Sequence, residues 1–259
     1  MTNWIAASLF GLYAAVTLIA PTVWARPTLV NTHPRLVLWG WVTSALVAGL
    51  SLVAALLLLI QRSLRHEIDP IPNGVWLGPL VDTILGWASI AALGLILFRV
   101  GVAVSDLRGA RREQGLALAA LSSTGDPVQI GNTHALRVSS DLPLVATLSA
   151  DKKIFFTTAL EGQLSDDQLA AAVTHEQAHL HGHHASLRAL AAIATAVAPS
   201  FRSTKEMARA TRIATELAAD DAAARRYGPA TVAQALAASF PDEGYIPERI
   251  RRLDARSNS

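Results

Sequence analysis

The sequence contains no cysteine among its 259 residues. This absence excludes disulfide scaffolds, thiol nucleophiles and every zinc or iron–sulfur site that needs a thiolate ligand. Charged residues are also scarce, at 16% of the chain against about 25% in an average soluble domain. The formal net charge of +2 produces no strong field of one sign, so nucleic acid is not expected as a partner.

The shortage of charge is concentrated in the first part of the chain. Residues 1–105 hold five arginines, no lysine and three acidic residues. The same part holds all six tryptophans, and indole rings concentrate at the headgroup level of membranes. We therefore expect a membrane region at 1–105 and a separate domain at 106–259.

Three segments of the first region, 4–24, 36–60 and 75–98, are long and apolar enough to cross a hydrocarbon core, which needs about 20 residues. Helices buried in a soluble core would need far more surrounding chain. Asp82 interrupts the third segment. An ionisable group inside a span is a functional candidate, and the alternative is an acid that stays hydrated near the outer headgroups. The first region is thus predicted to be α-helical with three spans.

The basic residues beside the spans predict the orientation. The positive-inside rule places the amino terminus outside and residues 106–259 in the cytoplasm, in a multi-pass protein of the inner (plasma) membrane. The first span is expected to stay in the protein, because residues 1–3 have no basic residue to begin a signal peptide. The residues counted are Arg26 and Arg35 in the first loop, Arg62 and Arg65 diluted by Glu67 and Asp69 in the second, and Arg99, Arg108, Arg111 and Arg112 after the third span.

The second region is predicted to be α+β. Residues 108–122 are typical of a helix, and four short segments rich in β-branched and aromatic residues predict a small antiparallel sheet. Two helices should follow, at 166–184 and from 203 to 227, each opened by a capping sequence. The four predicted strands are 128–130, 135–138, 143–148 and 154–158, with a hairpin turn at 149–152.

The first of these helices carries His175-Glu176-Gln177-Ala178-His179, which matches the pattern H-E-x-x-H. Four residues make about one helical turn, so both imidazoles project from one face, as two zinc ligands require. Glu176 lies about 100° around the helix from His175. It can therefore flank a metal without binding it and accept a proton from the attacking water. Chance would produce this pattern in roughly one such sequence in a hundred.

A third ligand is available on the second helix, where Glu216 and Asp220 share one face at i, i+4. If Glu216 completes the zinc site, Asp220 lies one turn away and can accept the outer N–H of a ligating imidazole. Asp221 is a weaker candidate for that second role. Surface carboxylates on an alanine-rich helix are the alternative interpretation.

Other features near the motif are predicted to be peripheral. His183 lies about 12 Å along the axis from His175, too far to share one ion with it and His179. The apolar segment 187–199 is too short to span and is expected to pack on the membrane face, re-enter the membrane or join the core. The residues expected to form a solvated or interfacial cluster are His181, His183 and His184, and those expected in a solvated or headgroup-contacting tail are Arg249, Arg251, Arg252 and Arg256.

These motifs resemble the gluzincin peptidases, in which an H-E-x-x-H helix precedes a helix bearing E-x-x-x-D. The chain is more closely similar to the BlaR/MecR-type membrane metallopeptidases, through segments 144–148, 154–160, 164–179 and 216–220 after three spans. The resemblance implies a zincin-like domain with one Zn²⁺ held by His175, His179 and Glu216, and with Glu176 as general base and acid. It also implies that an extended substrate peptide pairs with the strand of Ile154, Phe155, Phe156, Thr157 and Thr158. The penicillin-binding sensor of those receptors has no counterpart here, so direct β-lactam sensing is not expected.

The sequence therefore predicts a membrane-embedded zinc metalloendopeptidase that hydrolyses peptide bonds of protein substrates at the cytoplasmic side, by analogy in regulatory proteolysis. One alternative is a membrane quality-control protease of the Ste/Htp kind, which would be favoured if residues 187–199 crossed the bilayer. Another is a catalytically inactive zinc-binding adaptor that transmits a signal through contacts. A structural membrane protein with accidental motifs is a third. The substrate, the activating signal and the oligomeric state are not predicted.

Overall fold

The computed structural model describes residues 2–68, 77–122, 124–148, 152–239 and 245–257. Ten helices and four strands lie within these described residues. The helices are α1 Thr2–Trp24, α2 Pro27–Thr32, α3 Pro34–Ile68, α4 Leu77–Ser122, α5 Thr158–Gln163, α6 Asp166–His181, α7 His184–Val197, α8 Arg202–Tyr227, α9 Pro229–Ser239 and α10 Ile246–Ser257. The strands are β1 Asp126–Ile130, β2 Thr133–Val138, β3 Val145–Leu148 and β4 Lys153–Thr157.

The chain divides into two compact units. The first comprises Met1–Pro27, Leu36–Asp106 and Leu190–Ala210. The second comprises Thr28–Arg35, Leu107–Ala189 and Thr211–Ser259. The first unit thus includes a segment from the second half of the sequence, and the division of the chain into domains at residue 105 stays a prediction.

Three helices of the first unit are long and apolar enough to cross a membrane, through segments Trp4–Trp24, Pro34–Arg65 and Leu77–Ala120. Most of their large apolar side chains are exposed, which favours lipid rather than water around them. The prediction of a membrane protein with three such helices is confirmed. Residues 75 and 76, the first of the predicted third span, lie outside the described residues, as does Asp69. The side chain of Glu67 is not described either. The helix predicted at 108–122 is continuous with the third span in α4.

Asp82 is buried in the first unit rather than hydrated. Its Oδ2 lies 2.7 Å from Nη2 of Arg62 on α3, so the two charges compensate each other at the contact between α3 and α4. Gly86, one turn further along α4, lets the helices approach closely, because a Cβ there would come within 2.3 Å of the Cβ of Ser63. Asp82 therefore has a packing role that the sequence analysis did not consider.

The four-stranded sheet is mixed, with the order β1-β2-β4-β3. The pairs β1/β2 and β3/β4 are antiparallel, but β2 and β4 are parallel, with Ala135 opposite Ile154. The prediction of a purely antiparallel sheet is wrong for the central pair. After β2 the chain first forms β3 at the edge of the sheet, and β4 then pairs between β2 and β3. The sequences of the turns do not reveal such a crossover. Most of the predicted turn at 149–152 lies outside the described residues.

Helix α6 packs on the sheet through a core that includes Phe156, Leu160 and Val173. Phe155, the next side chain of β4, lies on the other face in a second cluster with Val138 and Leu148. Both faces of β4 are therefore covered, and burying each phenylalanine stabilises the fold by about 1.5–3 kcal/mol. The start of α6 is fixed by a reciprocal capping box between Ser165 and Gln168, as predicted. The helix ends at His181, three residues earlier than expected.

Candidate metal centre

Helices α6 and α8 bring two imidazoles and a carboxylate to one point in the second unit. The Nε2 atoms of His175 and His179 are 3.1 Å apart. Glu216 has Oε2 at 3.4 Å from Nε2 of His175 and Oε1 at 3.6 Å from Nε2 of His179. Ligand atoms of a tetrahedral zinc site, with bonds of about 2.0–2.1 Å, are separated by about 3.3 Å. The three predicted ligands therefore lie at separations that suit one small cation, and their role as ligands stays a prediction.

Glu176 lies beside these two imidazoles. His175, Glu176 and His179 form a group that could hold a metal ion, since one ligand atom from each lies within 4.8 Å of the others. The hydroxyl of Thr147 on β3 donates a hydrogen bond of 2.8 Å to Oε2 of Glu176. Burial raises the pKa of Glu176, although His175 and the Thr147 hydroxyl oppose the shift. The carboxyl group is thus held by the sheet and tuned towards a stronger base.

Asp220 lies behind His175. This fully buried carboxylate has Oδ1 at 3.0 Å from Nδ1 of His175, the nitrogen that faces away from Glu216. Two hydrogen bonds from Arg249 reach Asp220, from Nε to Oδ2 at 2.8 Å and from Nη2 to Oδ1 at 2.6 Å. The same guanidinium has Nη1 at 3.1 Å from Oε2 of Glu216. Arg249 therefore links the two carboxylates of α8, and Asp220 lies where the sequence predicted outer support for an imidazole.

The prediction of a solvated arginine tail is wrong for Arg249 and Arg252. Arg249 is only 6% exposed because it inserts between α10 and the α8 carboxylates. Arg252 and Arg256 both contact Asp221, the former with Nη1 at 2.8 Å from Oδ1. Arg251 and Arg256 are exposed. The spacing of the three buried or paired arginines at i, i+3 and i+7 places them on one helix face, and this periodicity could have revealed the contact with α8.

His184 is the residue near the motif that sequence reasoning missed. It is buried, and its Nδ1 lies 2.7 Å from Nδ1 of His179, so one ring donates and the other accepts. Burial, followed by the charge of Arg188, lowers the pKa of His184 to about 4, which leaves its ring neutral and able to accept. The predicted solvated cluster is therefore wrong for His184, whereas His181 and His183 are exposed.

A tight turn makes this contact possible. His183 adopts a left-handed conformation with φ of 51°, which ends α6 and redirects the chain. A Cβ at Gly182 would lie 2.3 Å from Nε2 of His184, so only glycine leaves room for the ring. The signal available in the sequence was the glycine two residues before His184.

Glu216 receives a second arginine from α7. Arg188 donates from Nη2 to Oε1 of Glu216 and, at 2.9 Å, from Nε to the Thr215 hydroxyl. Although burial alone would raise the pKa of Glu216, its contacts with His175 and Arg249 hold that pKa well below its usual range. The carboxylate is ionised, and each oxygen has a second lone pair for a cation.

The two imidazoles of the motif differ in protonation. Burial favours the neutral form of both, but contacts with Asp220 and Glu216 raise the pKa of His175 to about 9. Burial and the nearby charge of His175 lower the pKa of His179 to about 3. A nitrogen that binds a metal must be unprotonated. A bound cation would therefore replace the extra proton of His175, and the carboxylates of Asp220 and Glu216 that favour this proton would favour the cation too.

A cavity of about 790 Å³ opens beside this centre and is lined by His175, Glu176, Arg188, Val145 and Thr147, among others. Its size falls in the range of sites that bind small molecules or short peptide segments, about 300–1,000 Å³. The two β3 residues in its wall place the cavity along an edge of the sheet.

The predicted pairing of a substrate peptide with 154–158 does not fit the sheet. β4 pairs with β2 on one side and β3 on the other, so no ladder position is free for a peptide. Phe155, Phe156 and Thr157 are buried, and Thr158 already belongs to α5. Ile154 reaches the cavity wall but is also buried. Among the described strands, the open edge beside the cavity belongs to β3.

The register shows which β3 groups face this open edge. The Thr157 N–H donates to the Leu144 carbonyl at 3.0 Å, and Ala146 stands opposite Phe155. In an antiparallel ladder, alternate residues turn their N–H and C=O groups away from the partner strand. Val145 and Thr147 therefore direct theirs outward.

Comparisons with known proteins give no match to this chain among protein-family models, curated proteins or solved structures.

Proposed function

We propose that this protein is a membrane-embedded zinc metalloendopeptidase that hydrolyses peptide bonds of protein substrates. The observation that carries the proposal is the convergence of Nε2 of His175, Nε2 of His179 and the Glu216 carboxylate, at separations of 3.1, 3.4 and 3.6 Å, beside Glu176. Three ligands of this kind leave a coordination position open, as catalytic rather than structural zinc sites do.

The donor set supports zinc. Two imidazoles and one carboxylate suit zinc well, and the absence of cysteine leaves only nitrogen and oxygen ligands, as in the His₂Glu sites of metallopeptidases. Asp220 and His184 would orient the two rings through their outer nitrogens, which is the usual support for ligating histidines. Arg249 contacts both Asp220 and Glu216 and so fixes the positions of their carboxylates relative to each other.

Glu176 would carry the proton transfers. A bound zinc ion supplies Lewis-acid activation of the water and of the scissile carbonyl. Glu176 accepts the proton of the attacking water on its carboxylate while the new C–O bond forms, and delivers it to the amide nitrogen as the C–N bond breaks. The hydrogen bond from Thr147 keeps this carboxylate oriented towards the cavity.

An extended substrate would pair with β3. The outward N–H and C=O groups of Val145 and Thr147 can hydrogen-bond the backbone of a peptide lying in the cavity, which accepts many side-chain sequences. Backbone pairing does not require a chain terminus, so it supports cleavage inside a polypeptide. A regulatory role for this cleavage remains an analogy with the BlaR/MecR-type peptidases.

The location proposed for this activity is the cytoplasmic side of the inner membrane, with the amino terminus outside. The distribution of arginines around the three apolar helices supports this orientation. Helix α7 has 14 residues and is about 21 Å long at 1.5 Å per residue, against about 30 Å of hydrocarbon. This length argues against a further span and so favours the BlaR/MecR-type over the Ste/Htp-type arrangement.

The decisive experiment replaces the proposed base and leaves the ligands intact. The full chain and its Glu176→Gln variant are purified in detergent, zinc is measured by elemental analysis, and cleavage of unfolded casein is followed. We expect one zinc per chain in both proteins and a loss of cleavage of about 10²–10⁴-fold in the variant. Glu113→Gln, at an exposed position of α4, is the matched control and should cleave normally.

Three outcomes would overturn the proposal or redirect it. Absence of stoichiometric zinc would favour a structural protein, and full cleavage by the Glu176→Gln variant would remove Glu176 from the mechanism. Zinc binding without cleavage by the native chain, together with a cellular phenotype that survives Glu176→Gln, would favour the adaptor. Comparing the proteomes of cells expressing native and variant chains would identify the substrates.

A further inference from the structure

We propose that a groove in the first unit, here called the lipid groove, binds an anionic phospholipid. The groove has a volume of about 570 Å³ and lies between the C-terminal end of α1 and the first turns of α8. Leu18, Pro21 and Phe201 contribute apolar wall, and Arg26, Arg202 and Arg209 contribute positive charge. The proposal does not depend on the proposed protease activity.

The cations of the lipid groove are weakly neutralised by protein. Glu206 is the acidic residue in its wall, and its carboxylate lies 3.9 Å from Nε of Arg202 and 3.8 Å from Nη1 of Arg209. Both distances are near the outer limit of an ion pair, and the two arginine side chains are 88% and 73% exposed. Three guanidinium groups against one carboxylate leave an excess of two positive charges, and guanidinium geometry matches phosphate oxygens.

The apolar wall distinguishes a lipid from a free phosphate. Leu18 belongs to the apolar segment Trp4–Trp24 and is largely exposed, as is expected of a side chain that contacts acyl chains. Phe201, just before α8, is also exposed beside the arginines. An aromatic ring next to cationic side chains is typical of the headgroup level of a membrane, where a phospholipid places its phosphate above its tails.

The position of the groove along the helices supports this depth. Arg26 follows the end of the first apolar segment, and Arg99 directly follows the third span predicted from the sequence, 75–98. Since α3 returns the chain across the bilayer between them, α1 and α4 end their apolar segments on the same side. Arg99 donates from Nη1 to the carbonyl of Val197 at 3.1 Å, so the α7–α8 connection lies at that level too. Basic pockets beside spanning helices are recognised sites for anionic headgroups.

The test compares lipids and matched charge changes on the full chain in detergent. Retention of phosphatidylglycerol or phosphatidylcholine is measured by native mass spectrometry for the native chain and for the triple variant Arg26→Gln, Arg202→Gln, Arg209→Gln. The control, Arg108→Gln, Arg112→Gln, Arg225→Gln, removes the same charge from exposed positions outside the groove. We expect the native and control chains to retain phosphatidylglycerol in preference to phosphatidylcholine, and the groove variant to bind it about a hundredfold more weakly.

Further measurements distinguish lipid binding from misfolding of the variant and from binding of a free anion. The single variant Arg202→Gln changes only an exposed side chain, so a weaker loss of phosphatidylglycerol is expected from a protein that still folds. Phe201→Ala should also weaken phosphatidylglycerol binding without changing the charge. Equal losses in the groove and control variants, equal retention of phosphatidylcholine, or displacement by millimolar inorganic phosphate would each overturn the proposal.

Discussion

Each imidazole of the H-E-x-x-H motif has its own support at the outer nitrogen. His175 meets the carboxylate of Asp220, and His179 meets the neutral ring of His184. The two supports differ chemically, because a carboxylate attracts the positive charge on its imidazole and a neutral imidazole does not. The sequence suggested the first through the i, i+4 spacing of Glu216 and Asp220, but the second depends on a turn whose direction the sequence did not reveal.

This difference leads to a prediction for His184. If Nε2 of His179 binds the metal, its Nδ1 carries the proton and donates to His184. His184→Ala should therefore weaken zinc binding by about 10–100-fold, measured by competition with a chromophoric chelator. His181→Ala, at the exposed end of α6, is the matched control and should leave the affinity unchanged. Equal zinc affinity in both variants would show that His184 does not support the site.

The arginines at the centre were the least predictable residues. Arg188 and Arg249 come from α7 and α10 and reach Glu216 from two directions. Arginine on a helix is usually a surface residue, so the neighbouring sequence did not predict that these two arginines contact Glu216. Arg249 is buried because the folded chain brings the Asp220 and Glu216 carboxylates beside it, whereas Arg188 stays exposed. Removing one partner of a buried ion pair strongly destabilises a protein.

Among the secondary-structure elements, the sheet departs most from the sequence-based expectation. The short apolar segments predicted four strands, and these strands form. Their order did not follow, because pairing between β2 and β4 joins residues such as Ala135 and Ile154, which no local turn connects. As a result, β3 rather than β4 has a free edge.

A proline in β3 tests whether this edge holds substrate. The N–H of Val145 points away from β4, so Val145→Pro removes a donor from the open edge while leaving the ladder intact, as proline at sheet edges permits. We expect KM for casein-derived peptides to rise by about tenfold, the cost of about one hydrogen bond, with zinc content unchanged. Val145→Thr retains the N–H and should cleave like the native chain. A KM unaffected by the proline would exclude pairing at this position.

At the scale of the whole molecule, hydrophobicity and charge predict how the chain meets the membrane. Three apolar helices were expected and three are present in the described part of the chain. The segment 187–199 was expected to pack on the membrane face, to re-enter the membrane or to join the core, and Leu190–Ala210 groups with the three apolar helices. Contacts such as the one between Arg99 and Val197 decide its place.

The cysteine-free sequence offers a clean test of orientation. Thr2→Cys and Ser257→Cys each introduce the only thiol of the chain, so a membrane-impermeant maleimide reports its side without background. We expect Thr2→Cys to be labelled in intact cells and Ser257→Cys only after lysis, because three spans separate the two ends and the arginine excess lies towards the second. The reverse pattern would invert the proposed orientation, and labelling of both from one side would contradict three spans.

The sequence by itself determined the three apolar helices, the capped start of α6 and the placement of His175 and His179 on one helical face. These features follow from hydrophobicity and from geometry within one or a few turns, so neighbouring residues suffice to specify them. Only the tertiary structure decided that Arg249, Arg188 and His184 surround the same centre, and that β3 rather than β4 has the open edge. Such contacts join segments far apart in the chain, and packing of the whole domain selects among the many partners that local chemistry allows.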